Sequence, residues 1–231
     1  MSPAVSGFVE SRILVNYRVE LENLDTFLPE PFRGREVGET GLGIGSICFT
    51  RFENARPRFA PEAVGVSFET ATHRVSAAVE GEDGTTFCVY VPQRDVSSRF
   101  CAIVGSLLLP TEFKHGDINR NEQGRARVIR ADCGDKITGV DAYETDTNEV
   151  DGRSIFYSLE SASKFLCDGG VEYSQSGGQY GGIEFRADEI DIETLGVAEA
   201  RSNYFEKMGG EFDSAFIMRD VEGEWIPRRS Y

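Results

Sequence analysis

Lysine is scarce in this chain of 231 residues, which contains only four: Lys114, Lys136, Lys164 and Lys207. No run of basic residues interrupts a sequence whose formal net charge is -15. Such a charge repels phosphate groups, so nucleic acid and anionic membrane are poor partners for this protein. Adaptation to salt or a GC-rich coding bias is an alternative origin of the acidic composition.

The sequence also lacks long apolar segments and paired cysteines. No stretch approaches the roughly 18 apolar residues of a membrane span, and the N-terminus has no basic region followed by an apolar one. The five cysteines are odd in number and form no C-x-x-C pair: Cys48, Cys88, Cys101, Cys133 and Cys167. We therefore expect a soluble, cytoplasmic protein with buried free thiols and with neither a metal site nor a cofactor.

What remains is an ordinary globular composition, with 40% hydrophobic and 27% charged residues. The length suits one large domain with a substantial core. We predict an N-terminal tail over residues 1–10 and a single domain over residues 11–231.

Most of the chain has the pattern of β-strands. The segment RILVNYRVEL alternates like a strand, and ENLDTFLPEPF after it predicts a short helix that Pro29 ends. Residues 63–92 predict two long strands joined in a hairpin at Asp83 and Gly84. The glycines of GETGLGIGS precede another strand, so they do not indicate a phosphate-binding loop. Many strands with few helices indicate the α+β class, with a mostly antiparallel sheet that folds over or closes into a barrel.

The sequence predicts two more helices, each with a candidate capping residue. Asp95 is a candidate N-cap for a helix whose apolar stripe would pack on the sheet: Val96, Phe100, Ile103, Val104 and Leu107. Ser158 is a candidate cap for SLESASKFLCDGG, which ends at a glycine pair.

One strand carries two candidate catalytic groups. In AVGVSFETATHRVSAAV, alternation places Glu69 and His73 on a face of small and apolar residues, as in the wall of a cavity. Four strand residues span roughly 13 Å, so the two groups could flank a ligand but could not bond to each other directly. The alternative is that a neighbouring arginine satisfies each of them in an ordinary polar network.

The segment PQRDVSSRF places Arg94 and Arg99 around the predicted helix start at Asp95. Backbone amides at a helix start attract anions, so these arginines are candidate ligands for a carboxylate. The alternative is a cap with a salt bridge.

Lys114 stands beside His115 in LLLPTEFKHG. A lysine amine becomes a Schiff-base nucleophile when burial or a nearby cation lowers its pKa. Alternation places Phe113 and His115 on one face and Lys114 on the other, with Glu112. Because the aromatic ring would face the core, the pattern favours a solvent-exposed Lys114.

Several segments together resemble a known family. The sequence looks like the domain of unknown function 2071, or YqjF-like proteins, over roughly residues 11–225, in RILVNYRVELENLDTFLPEPFR, GSICFTRFENARP, FETATHRV, VYVPQRDVSSRFCAIVGSLLLP and SAFIMRDVEGEW. It is more remotely similar to the acetoacetate decarboxylases through Tyr17-Arg18 and Pro29-Glu30-Pro31. The resemblance implies a cone-shaped closed β-barrel with a few peripheral helices and an internal cavity, assembled as a homo-oligomer.

The decarboxylases carry a reactive lysine directly after a proline, with a second lysine that lowers its pKa. Here Pro110 is followed by Thr111 and Glu112, and Lys114 is out of register. The resemblance matches Glu69 and Arg12 to a glutamate and an arginine of the decarboxylases. Near Ser46 or Cys48, where the decarboxylases have a further acidic residue, this chain has no carboxylate. The resemblance therefore implies that parts of the cavity persist and that the essential amine is missing.

Three hypotheses follow. The first is a barrel that binds a small carboxylate- or carbonyl-bearing molecule inside, through Arg12, Glu69, His73 and Arg94 or Arg99, with general acid-base catalysis by Glu69 and His73 left open. The second is a decarboxylase-like lyase in which a bulge re-aims Lys114. The third is a non-catalytic scaffolding protein whose barrel is filled by side chains.

Overall fold

The structure is a computed structural model that describes residues 3–81, 84–188 and 190–228. Its strands are β1 (Val5–Glu20), β2 (Phe32–Gly34), β3 (Leu42–Pro57), β4 (Val66–Gly81), β5 (Gly84–Val96), β6 (Lys114–His115), β7 (Asp117–Gln123), β8 (Ala126–Cys133), β9 (Lys136–Glu144), β10 (Val171–Ser176), β11 (Gln179–Arg186), β12 (Glu193–Ser202) and β13 (Glu211–Arg228). Its helices are α1 (Leu21–Phe27), α2 (Arg99–Leu108), α3 (Leu159–Cys167) and α4 (Asn203–Glu206), with a 3-10 turn at Glu62–Val64. This confirms the predicted mostly-strand α+β class.

Seven strands form a ring. The pairing order β1, β3, β4, β5, β10, β11 and β13 returns to the start because β13 also pairs with β1. All of these pairs are antiparallel except the short parallel contact between β10 and β5. That the ring is a closed, cone-shaped barrel stays a prediction.

A second group of strands covers one side of the ring. Strand β12 pairs first with β13 and then with β9, and β8 and β7 follow at the edge. Apolar residues of β8, β9 and β12 join those of β1, β3 and β4 in the largest hydrophobic cluster. Strands β1, β3 and β4 are therefore buried on both faces. One face of each strand packs against the second group of strands, and the other face lines the ring interior.

The first strand begins earlier than predicted. Val5 pairs with Trp225 of β13 and with Pro57 of β3, so residues 5–10 belong to the ring and not to a tail. The predicted hairpin is present as the pair Gly81 and Gly84, although Asp83 lies outside the described residues. α1 ends before Pro29, and Ser158 caps α3 through a capping box, both as predicted.

The prediction for α2 was wrong in its start and in its packing. Asp95 and Val96 are the last residues of β5, and the N-cap is Ser98, whose hydroxyl accepts a hydrogen bond from the Cys101 backbone amide. The buried residues of α2 are Cys101 and Ala102, whereas three members of the predicted stripe are exposed: Phe100, Ile103 and Leu107. The helix therefore starts three residues later than predicted, and most of its predicted apolar stripe faces solvent.

The remaining expectations concern the cysteines and membrane spans. All five cysteines are free, as predicted, and four are buried, but Cys167 is exposed. None of the described helices has the length and apolar character needed to cross a membrane.

Candidate functional site

A buried carboxylate inside the ring is held by two arginines. Glu172 lies at the start of β10. One of its carboxylate oxygens is 3.2 Å from a guanidinium nitrogen of Arg74 on β4, and the other is 2.5 Å from a guanidinium nitrogen of Arg94 on β5. All three side chains are at most 13% exposed. Although burial raises the pKa of Glu172, the positive charges of Arg74, Arg94 and Arg12 outweigh it and hold the pKa at about 2. Glu172 is therefore ionised at neutral pH.

Arg12, on β1, extends the cluster across the ring. Its guanidinium carbon lies 4.7 Å from the centre of the Phe185 ring, in a cation–π contact. Burial lowers the pKa of Arg12, and the charges of Arg74 and Arg94 lower it further, while Cys48 and Glu172 act in the opposite direction. An arginine stays protonated in a protein even so. The interior thus holds three guanidinium groups and one carboxylate, an excess of positive charge.

A cavity of about 90 Å³ lies against this cluster. We call it the arginine cavity and define it by its lining residues, which come from five strands of the ring, α3 and two connecting segments: Arg12, Leu14, Arg74, Leu166, Cys167, Gly169, Gly170, Glu172, Phe185, Ile190, Ile192, Phe216 and Met218. The lining is mostly apolar, with charges on one wall, which is typical of a small-molecule site. The space suffices for several waters or for a molecule of about six non-hydrogen atoms.

The arginines have unused hydrogen-bonding capacity. The Nε atoms of Arg12, Arg74 and Arg94 are buried and have no hydrogen-bond partner among the described residues. Buried donors are normally satisfied, and an unsatisfied one costs about 1–3 kcal/mol. A bound anion would supply both the acceptors and the negative charge that the cluster lacks.

A second, smaller cavity of about 50 Å³ lies further along the ring interior. Its lining includes Arg94 and a group of apolar residues: Val5, Phe52, Ala55, Phe68, Leu109, Phe113, Ile183 and Trp225. Thr70 completes it. Neither of these two cavities is lined by a lysine.

The structure places Glu69 and His73 on the other face of β4 from Arg74. Glu69 is half-buried near Arg120 and Arg51, and burial raises its pKa while those two arginines lower it. His73 is fully buried, 5.1 Å from Tyr204 in ring-centre distance, and both of its nitrogens lack a partner. Burial, followed by the charge of Lys136, lowers the pKa of His73 to about 3. Neither residue lines the arginine cavity.

Of the other predicted residues, Arg12 and Arg94 belong to the cluster. Arg99 is the first residue of α2 and is exposed. Lys114 is exposed in β6, beside Asp95 of β5, and lines neither ring cavity. Thr111, which follows Pro110, is buried, and its hydroxyl is hydrogen-bonded to that of Ser174. The position directly after the proline is therefore occupied by a threonine inside the protein.

Sequence reasoning missed Arg74 and Glu172. Alternation did place Arg74 opposite His73, but both faces of β4 are buried, so burial alone could not tell the ring interior from the outer core. No local pattern marks Glu172, because its role depends on β10 reaching β5 across the ring. No cluster of three or more metal-ligating side chains occurs in the part of the chain that the structure describes.

No family model and no curated protein sequence matches the chain. Solved structures do match. An acetoacetate decarboxylase from Legionella pneumophila has a TM-score of 0.63 at 9% identity, covering 99% of this chain and 88% of that chain. The enduracididine biosynthesis enzyme MppR, complexed with pyruvate, has a TM-score of 0.59 at 13% identity, covering 98% and 89%.

The chain has the fold of the acetoacetate decarboxylases. A third match, an acetoacetate decarboxylase-like enzyme from Sphingomonas wittichii RW1, has a TM-score of 0.62 at 10% identity and covers 100% of this chain and 95% of that one. The structural similarity establishes the decarboxylase-like fold. At identities this low, it does not establish an activity.

Proposed function

We propose that the arginine cavity binds a small carboxylate, such as a short 2-oxo acid. One observation carries the proposal: three buried guanidinium groups face a single carboxylate, and each has an Nε without a partner. A ligand carboxylate would reduce the charge imbalance and satisfy these donors. The cavity of about 90 Å³ sets the size of the ligand.

The structural neighbours support this size and chemistry. They are decarboxylase-like enzymes, and the MppR structure contains pyruvate. The fold therefore favours a small-molecule site, in a possible enzyme, over a scaffold with a filled ring. In this proposal the chain is a relative of the domain of unknown function 2071 family that keeps a decarboxylase-like cavity.

The lyase hypothesis has less support from the geometry. A Schiff base needs an amine inside the site, and Lys114 is exposed while Thr111 is buried after Pro110. Borohydride trapping with β-keto acids tests this point by intact mass. We expect no adduct that depends on Lys114; an adduct that disappears in Lys114→Gln would restore the lyase hypothesis.

Ligand-induced stabilisation tests the binding proposal. Pyruvate and acetate should raise the melting temperature, whereas uncharged methyl pyruvate should not, because it lacks the carboxylate. A ligand at about 100 times its dissociation constant adds roughly 2.7 kcal/mol to the free energy of unfolding. Arg74→Met should abolish the effect, and Arg33→Met, at an exposed ion pair, should retain it. Equal shifts with all three compounds in all three proteins would contradict the proposal.

A further inference from the structure

The arginine cavity adjoins a much larger space at the protein surface. An open groove of about 720 Å³ lies over residues of β1, β3, β11 and β13 and the segment after β11. Two residues, Phe185 and Ile190, line both the groove and the arginine cavity. The two spaces therefore meet at the Phe185 side chain.

The Phe185 ring is held between two partners. The guanidinium carbon of Arg12 lies 4.7 Å from the centre of the Phe185 ring, and the centre of the Trp225 ring lies 4.9 Å from the same point. Aromatic and cation–π contacts of this kind favour one position of the ring and are weak enough to permit its rotation. The ring also covers the guanidinium of Arg12, whose buried Nε has no partner.

The backbone next to the ring is shaped for it. A Cβ on Gly223 of β13 would lie 2.2 Å from the Phe185 ring, too close for any side chain. The ring thus occupies space that only a glycine leaves free. The position of the ring between the groove and the cavity therefore depends on the absence of a side chain at Gly223.

The arginine cavity has another edge, at the turn between α3 and β10, where Cys167 is exposed. This turn is fastened by Arg35, which pairs with Asp168 at 2.8 Å. Arg35 also lies over the rings of Phe87 and Phe165, at 3.9 and 4.2 Å. Passage there would break an ion pair and two cation–π contacts, whereas passage at Phe185 would break one cation–π contact and one aromatic contact.

We propose that Phe185 is the gate between the groove and the arginine cavity, and that it orients Arg12 for the incoming ligand. The proposal rests on the proposed function, since it describes how a small carboxylate reaches its site. A narrow gate limits the ligand to a small carboxylate head. It makes Phe185 a determinant of specificity.

Access to the buried arginines can be measured without knowing the ligand. The protein is treated with 2,3-butanedione in borate, digested, and the modified fractions of Arg12 and Arg74 are followed by mass spectrometry. Phe185→Ala should raise both rates by about tenfold or more. Phe185→Leu, which keeps most of the apolar volume, should give a smaller increase. The exposed Arg33 in the same samples should react at one rate in every variant.

Two further arms keep the test decisive if Phe185→Ala does not fold. Gly223→Ala displaces the ring but retains the aromatic side chain, so it should also raise both rates. Asp168→Asn weakens the ion pair that fastens the other edge and lies outside the lining of the cavity, so it should leave both rates unchanged. The gate is wrong if folded Phe185 variants react at the wild-type rates, or if Asp168→Asn speeds the reaction of Arg12 and Arg74 as much as Phe185→Ala does.

The result is separable from the test of the proposed function. If reagent access depends on Phe185 but no carboxylate stabilises the protein, the gate stands and the proposed ligand class fails. If carboxylates stabilise the protein but Phe185 does not control access, the gate alone is overturned.

Discussion

At the scale of single residues, Glu172 is the internal counter-ion of the arginine cluster. Without it, Arg74, Arg94 and Arg12 would face one another uncompensated, and breaking a buried ion pair typically costs about 3–5 kcal/mol. We expect Glu172→Gln to lower the free energy of unfolding by about that amount, as measured by urea denaturation at neutral pH. Glu211→Gln, which removes an exposed partner of Arg18, should have little effect.

The stability of Glu172→Gln should also depend on added anions, because sulfate or acetate can replace the missing negative charge. The stability gained from either anion should be larger in Glu172→Gln than in the wild type. A variant as stable as the wild type, with no response to anions, would show that the cluster does not need a negative charge.

His73 should make stability depend on pH. Its pKa is about 3 in the folded protein and 6.5 when unperturbed, so below pH 6.5 the unfolded chain takes up the proton first. Stability should therefore fall by up to about 1.4 kcal/mol per pH unit as the pH drops from 6.5 towards 3. Above pH 6.5 His73 is mostly neutral in both the folded and the unfolded chain, so it no longer makes stability depend on pH.

Glu172 acts at lower pH. Its pKa of about 2 lies below the unperturbed 4.5, so the stability it contributes is present above pH 4.5 and is lost as the pH falls towards 2. The window between pH 6.5 and 4.5 is thus free of Glu172, although Glu69 and Asp95, whose pKa values are raised by burial, also contribute there. The difference between the wild type and a His73 variant in this window therefore isolates His73.

His73→Leu should flatten the stability profile in this window. Because neither nitrogen of His73 has a partner, the substitution should be close to neutral at pH 7. Urea denaturation at several pH values compares the two proteins. An unchanged slope in His73→Leu would mean that other groups cause the pH dependence.

At the scale of elements, α2 shows where local patterns mislead. Asp95 has the chemistry of a cap, but β5 continues through it because its carboxylate accepts hydrogen bonds from Gln93, at 2.9 and 2.7 Å, inside the protein. Ser98 takes the cap position instead. Ser98→Ala should lower the free energy of unfolding by about 1 kcal/mol and speed amide exchange in the first turn of α2.

Asp95→Asn serves as the contrast for that prediction. It keeps the size of the side chain and leaves the hydroxyl of Ser98 in place, so amide exchange in α2 should not change. Faster exchange in Asp95→Asn than in Ser98→Ala would favour Asp95 as the cap.

Strand patterns were the more reliable part of the sequence. Alternation located β1 and the β4–β5 hairpin, and Ser158 marked the start of α3, because each signal is contained in a few adjacent residues. The face of β4 that lines the cavity could not be found in this way, since the second group of strands buries its other face as well.

At the scale of the whole molecule, the ring depends on contacts between distant parts of the chain. Strand β13 pairs with β1, and β10 reaches β5, so Arg12, Arg94 and Glu172 meet only after the ring has formed. Resemblance to the decarboxylases predicted the decarboxylase-like fold and pointed to Arg12, which lies in the cluster, while Glu172 could be found only from the tertiary structure. An acidic protein thus encloses a positively charged interior.

The central claim is that this interior binds a small carboxylate through its arginines. Calorimetric titration of pyruvate into the wild type, Arg74→Met and Arg33→Met tests it most directly. We predict saturable binding of one pyruvate per chain to the wild type and Arg33→Met, and at least about tenfold weaker binding to Arg74→Met, a difference of about 1.4 kcal/mol. Equal affinity in Arg74→Met and the wild type, or no binding by any of the three, would contradict it.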